Sequence, residues 1–262
     1  MPRDLGDVLH YFFREDDSAH PAAPEPAPPA AQRAALPVIA TLLSERDVVR
    51  AALLWNLAVE IARQGASASV VAPADGDTSA LWPEPGRGPL GAELVLTFAD
   101  DLASLARSAF EVAAHAGASA RDGGVVLVRV PPAWLAQAAD AAELFDWTLL
   151  FVSPQPRELL QSYAVAKQLV KACPRARLGV TIHGPRSVGE AREAFDRLAR
   201  TTHRHLDRTL ASYGLLVDDV HVVRSIVSRR PVGLAHPHAA ATRALQDVAR
   251  WILLDAQAPA RG

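Results

Sequence analysis

The sequence predicts an α/β protein: a doubly wound, mostly parallel sheet covered by helices on both faces. Three observations carry this. Val38–Leu42 is a short apolar run; a long helical run ending at Gly65 follows it, then a second short run, Ser67–Ala72. That is a strand–loop–helix–strand unit, and later segments repeat its type. Val125–Val130, Trp147–Val152 and Arg177–Ile182 are short and mostly apolar, as strands covered on both faces must be. Each of these strands ends at breakers, Pro131-Pro132, Ser153-Pro154-Gln155-Pro156 and Gly184-Pro185. A sheet of this kind places its ligand site at the carboxyl ends of the strands, here residues 43–50, 72–75, 130–133, 153–156 and 183–185.

In chain order, Asp4 caps a short amphipathic segment whose Leu5, Val8, Leu9, Phe12 and Phe13 fall at i, i+3, i+4, i+7 and i+8. Residues 18–36 are Pro/Ala-rich and read as an extended, semi-stiff linker. The expected organisation is therefore a docking helix over 1–17, that linker, an α/β domain over 37–255, and a disordered tail over 256–262. An isolated helix this short is marginal in water. It docks either on its own domain or in a groove on a partner, through Leu5, Val8, Leu9, Phe12 and Phe13. Inside the domain, 75–91 is a variable Gly/Pro-containing stretch and Glu93–Phe98 a strand candidate. Asp100-Asp101 opens a helix to about Ala116. A helix runs from Pro132 to about Ala142, and another over Arg157–Ala172 has Pro156 in its first turn. Ser187 to about Leu210 reads as one long charged helix, Leu215–Val217 as a last short strand, Val220–Val227 as a short helix and Ala239–Asp255 as the closing helix.

The 262 residues suffice for a full core. A formal net charge of −2 gives no general attraction to nucleic acid or acidic membranes. The lone Cys173 excludes an intramolecular disulfide and fits a reducing compartment. Charges throughout residues 1–20 argue against a signal peptide, so a cytoplasmic protein is expected. His203 with His205, and His236 with His238, are spaced i, i+2, which is no metal signature, and no metal is expected. Asp218-Asp219 reads as a helix cap. Arg200, Arg204 and Arg208 form one helical stripe with Asp196 and Asp207 interleaved, and Arg224, Arg229 and Arg230 cluster later. Both read as solvated surface rather than as a DNA site.

Several stretches, in order and spacing, give the chain a family resemblance. They are Asn56–Gly65 (Asn-Leu-Ala-Val-Glu-Ile-Ala-Arg-Gln-Gly), Trp147–Pro156 with Tyr163–Lys167, Ser187–Leu198, Gly214–Pro231 and Pro237–Trp251. Together residues 37–255 resemble the MinD/ParA branch of deviant Walker P-loop ATPases, and within it the FlhG-type regulators of flagellar number and placement. The resemblance implies a P-loop NTPase-like sheet. It also implies where that family's functional residues fall. The phosphate loop Gly-Lys-Gly-Gly-x-Gly-Lys-Thr-Thr falls on Ser44–Ala52. Its first glycine is Ser44, the lysine that crosses a dimer interface is Glu45, and the next two glycines are Arg46 and Asp47. The last glycine is Val49, the phosphate-binding lysine Arg50 and the Mg²⁺-binding threonine Ala51. The acidic pair after the second strand falls on Ala72 and Ala74, the Walker B-type aspartate on Arg129, and the base-reading asparagine near His183.

These departures predict a vestigial site with no cofactor, ATP–Mg²⁺ binding and hydrolysis both lost and no catalytic residue. Glycines let a phosphate loop wrap closely and aim its N–H groups, whereas Val49 is β-branched and disfavours φ > 0. Glu45 and Asp47 set negative charge beside any triphosphate, on the order of 4 kcal/mol per pair at ~4 Å and an effective dielectric of ~20. Ala51, Ala72, Ala74 and Arg129 supply neither hydroxyl nor carboxylate for a metal. Ser44-Glu-Arg-Asp47 instead reads as a capping box, Ser44 capping Asp47 and Asp47 reaching back. The resemblance further implies a protein partner for the N-terminal helix, such as a flagellar-type GTPase or polar scaffold. That helix lacks the family's Gln and Arg. A nucleotide sensor and a DNA-binding ParA-like protein are the other readings. Leu245, Val248, Trp251, Ile252 and Leu253 belong to the last core helix, which leaves 256–262 too short and polar for a membrane anchor. A monomer or nucleotide-independent dimer is expected.

Overall fold

The computed structural model of the chain describes residues 34–44, 47–74 and 83–258. The expected docking helix, nearly all of the linker, Glu45, Arg46 and the last four residues lie outside them. Among the described residues eight strands form one sheet in the order β3-β4-β2-β5-β1-β6-β7-β8. They are β1 (Val38–Leu42), β2 (Ser67–Pro73), β3 (Gly86–Arg87), β4 (Glu93–Thr97), β5 (Gly124–Val130), β6 (Trp147–Val152), β7 (Arg177–His183) and β8 (Leu210–Leu216). Every pairing is parallel except β3 with β4. β1 lies in the middle, between β5 and β6, where successive connections change direction. That is the position at which such sheets open a crevice.

The helices are α1 (Val48–Arg63), α2 (Leu102–Ser119), α3 (Pro156–Ala172), α4 (Val188–Leu206), α5 (Val220–Ser228), α6 (Val232–Ala235) and α7 (Ala240–Gln257). α1 and α7 cover one face, where Leu54, Leu57, Ile61, Leu245 and Ile252 are buried against Ile39, Val70 and Leu127. α2, α3, α4 and the segment 132–145 cover the other, with Leu102, Leu105, Phe145, Leu169 and Leu198 buried against Val126, Val128 and Val180. β5 and β6 are buried at every residue, so their unbroken apolar runs follow from having helices on both sides.

Three expectations are corrected. The long charged helix stops at Leu206, because Asp207 turns to a left-handed conformation (φ 52°, ψ 46°), the usual geometry for ending a helix. The chain then enters β8 at Leu210, five residues before the expected strand. β8 hides from pattern reading because it is an edge strand of mixed burial, with a register shift opposite Val180–Ile182 and Gly214 at φ 98°. Pro132–Phe145 forms tight 3-10 turns with a break at Ala141 rather than an α-helix. Its polar groups serve neighbours: Gln137 accepts the Leu102 N–H at 3.1 Å, and the Ala138 carbonyl accepts from Cys173 Sγ at 3.4 Å. Finally, the short antiparallel β3 lies inside the variable Gly/Pro-containing stretch over 75–91, for which no strand is expected.

Candidate functional site

At the carboxyl edge β1 hands over to α1 within five residues. Leu43 N–H donates to the Val130 carbonyl at 3.1 Å, and Asp47 N–H donates to the Ser44 carbonyl at 3.0 Å. The helix cap is Asp47, not Ser44 as the capping-box reading has it: its Oδ1 accepts the Arg50 N–H at 3.0 Å. The reason is geometric. The Asp47 carbonyl already takes the first helical bond, from Ala51 N–H at 3.0 Å, so Asp47 stands at the position where a side-chain acceptor meets the free N–H groups of the first turn.

Arg50 is the centre of the site. Its Nη1 pairs with Asp47 Oδ2 at 2.9 Å, its Nη2 with Glu158 Oε2 at 2.5 Å, and its Nε donates to His183 Nε2 at 3.0 Å. Three elements thus converge on one guanidinium: α1, the first turn of α3, and the carboxyl end of β7. Two carboxylates offset its charge, and these groups are only about a quarter exposed. His183 has a pKa lowered to about 4, by burial first and the Arg50 charge second, against the opposing pull of Asp47 and Glu158. The neutral imidazole this implies is also what the geometry requires, since Nε2 must keep its lone pair to accept from Arg50.

The other expected site residues form a second group. Arg129 is buried at the end of β5, and its Nη2 donates to the Pro73 carbonyl at 3.0 Å. It therefore ties β5 to the end of β2 between Ala72, which is buried, and Ala74, whose N–H donates to Thr97 O at 2.7 Å. Val49 is half exposed on the first turn of α1, and Ala51 is buried. The structure thus brings together Asp47, Arg50 and His183. Sequence reasoning missed Glu158; the available signal was an acid two residues after Pro156, in a first helical turn at a strand's carboxyl end. It also missed the contact between His221 and His236, whose rings lie 4.3 Å apart, with Asp219 Oδ1 2.7 Å from His221 Nδ1. Asp219 does cap α5, accepting His221 N–H at 2.9 Å, and its other oxygen accepts Ala241 N–H at 3.1 Å, fastening α5 to α7. Among the described residues no group of three or more His, Cys, Asp or Glu could hold a metal ion.

No protein-family model matches the chain, and no curated protein matches its sequence. Solved structures do match. A chain of the MinC:MinD cell division protein complex of Aquifex aeolicus has a TM-score of 0.59 at 16% identity, over 86% of this chain and 98% of its own. The cell division ATPase MinD of Pyrococcus furiosus gives 0.57 at 15% identity, over 83% and 98%. The ParA family ATPase from Chlorobium tepidum TLS gives 0.53 at 14% identity, over 81% and 98%. The chain has the MinD/ParA-type fold. At such identities the fold is what is shared. Within this MinD/ParA-type sheet, the Arg50 cluster occupies the carboxyl ends of β1 and β7 and the helix that follows β6, which is the crevice expected for the ligand site. Among the described residues no helix is long and apolar enough to cross a membrane.

Proposed function

We propose that this protein is a pseudo-ATPase: a MinD/ParA-type fold that works as a protein–protein adaptor or regulator of a spatially organised bacterial assembly. The single observation that carries the reading is the closure of Arg50 by Asp47, Glu158 and His183. A cation already engaged by two carboxylates and an imidazole has little left for a triphosphate, and a bound triphosphate would meet those carboxylates. The residues present do not fit Mg²⁺–ATP in other respects. Ala51 offers no hydroxyl, Ala72 and Ala74 offer no carboxylate, and at the Walker B-type position stands a buried arginine turned onto the Pro73 carbonyl. No step through ATP follows from such a donor set.

Isothermal titration of the full chain with Mg²⁺–ATP tests this. The expected result is no binding heat up to millimolar nucleotide, and micromolar affinity overturns the reading. A second reading, nucleotide sensing without hydrolysis, draws on the one cation that Arg50 retains on the first turn of α1. A thermal-shift series over nucleoside di- and triphosphates decides between the two. The FlhG resemblance suggests that the adaptor's partner is a flagellar-type GTPase or polar scaffold engaged through Leu5, Val8, Leu9, Phe12 and Phe13. Under this reading, a chain lacking residues 1–36 fails to retain that GTPase in a pull-down. The reading implies a cytoplasmic location.

A further inference from the structure

Away from the Arg50 cluster, α3 and the segment 132–145 enclose an open groove of about 470 Å³. Its lining is mostly apolar, from Pro132, Ala133, Leu135, Ala136 and Ala172, with Lys171 at its side. Lys167 and Lys171 lie one turn apart on α3, Arg175 follows in the turn after its end, and all three are exposed. Among the described residues none of the three is in an ion pair. α4 packs beside α3, with Tyr163 and His205 ring centroids 6.4 Å apart and Arg208 Nη2 donating to the Pro174 carbonyl at 3.0 Å. Its second half adds more positive charge.

The asymmetry is large. Residues 167–177 hold four Lys/Arg and no carboxylate, and residues 197–208 hold four arginines against Asp207 alone. Those two windows sum to a net charge of +7, which Asp140, Glu143 and Asp146 on the neighbouring segment lower to +4, in a chain whose formal net charge is −2. Such a separation steers an anionic partner toward one end of the molecule.

From this we infer that the groove between 132–136 and α3 is the docking site for a short acidic segment of a partner protein with one apolar face. The apolar floor takes that face, and Lys167, Lys171 and Arg175 take the carboxylates. The surroundings select a short segment over an extended polyanion. Asp140, Glu143 and Asp146 are exposed on the continuation of the segment that walls the groove. A nucleic-acid duplex or an anionic bilayer covers more of this end than the groove and would set its phosphates near them, whereas a short segment can be confined to the groove. The site lies apart from Arg50, so it stands or falls independently of nucleotide binding.

The test is fluorescence anisotropy of the full chain with a labelled helical peptide of Leu/Glu pattern, leucines on one face. The expected result is salt-sensitive binding, weakened about tenfold or more, roughly 1.4 kcal/mol, by the double variant Lys167→Glu/Lys171→Glu. Ala136→Trp, which fills the trough, should weaken it comparably, with melting temperatures unchanged in both variants to show that they fold. The inference is overturned by no binding, by binding that the lysine variant leaves intact, or by equal affinity for the same peptide with serine in place of leucine. Tighter binding to a mixed-sequence duplex or to phosphatidylserine-rich vesicles would also overturn it.

Discussion

Arg50 shows how much one side chain can fix. Its guanidinium presents a rigid fork of donors, and three elements supply matching acceptors. Arg50→Met keeps the stem and removes the fork, leaving Asp47 and Glu158 facing each other without a cation. Hydrogen bonds to charged groups are worth about 1.5–3 kcal/mol each, the partly exposed ones at the low end. The variant should therefore lose about 1–3 kcal/mol in urea denaturation, and a loss under ~0.5 kcal/mol would mean that the cluster is solvated surface. His183 gives the pH counterpart. Its folded pKa is about 4 against an ordinary 6.5, so below pH 6.5 the unfolded chain binds the proton first. Its contribution is complete above about pH 6.5 and is lost as the pH falls toward 4. A shift of this size corresponds to at most about 3 kcal/mol. Thermal melts across that window should fall more steeply for the native chain than for His183→Gln, which keeps an acceptor but no titration. Parallel slopes would remove His183 from the account.

At the scale of elements, α1 is held to the chain's later segments by Asn56. Buried at the interface, it donates Nδ2–H to the Ala52 carbonyl at 2.7 Å and accepts the Val232 N–H on Oδ1 at 2.6 Å. α6 comes close enough to α1 that a side chain at Gly233 would collide with the Glu60 carboxylate. Asn56→Leu fits the volume but strands the Val232 N–H, at a cost of about 1–3 kcal/mol. At ~2–4 °C per kcal/mol for a domain of this size, the melting temperature should fall by roughly 3–10 °C; an unchanged value would mean that α6 reseats without the bond. The same scale shows what could be read in advance. The central strands were legible because burial on both faces leaves an unbroken apolar run, and their ends because Pro and Gly punctuate them. β8 and the 132–145 turns were not: an edge strand half in solvent has no such run, and alanines that read as helix are bent by bonds to α2 and Cys173. At the site, Asp47, Arg50 and His183 were named from the sequence. Their mutual contact was not, because it joins residues 133 positions apart, and Glu158 lies 108 positions from its partner. Only the β1–β6–β7 order brings them to one edge.

For the whole molecule, the proposed loss of a phosphate site is spread over several strand ends, and this makes a prediction of its own. Ser44–Ala51 follow β1, Ala72 and Ala74 close β2, Arg129 closes β5 and His183 closes β7. Grafting a glycine-rich Gly-Lys-Gly-Gly-x-Gly-Lys-Thr-Thr loop onto residues 44–52 would restore the backbone N–H cradle and the hydroxyl. It would still leave Arg129 bonded to the Pro73 carbonyl where a carboxylate is needed to orient a metal. It would also put a lysine in place of Arg50, for which Glu158 would compete with the incoming phosphates. The graft alone should therefore show no phosphate release above that of the ungrafted chain, while adding Arg129→Asp and Glu158→Gln should at least allow Mg²⁺-dependent nucleotide binding by calorimetry. Turnover from the graft by itself would mean that closure is confined to the loop and that the remaining strand ends are still competent.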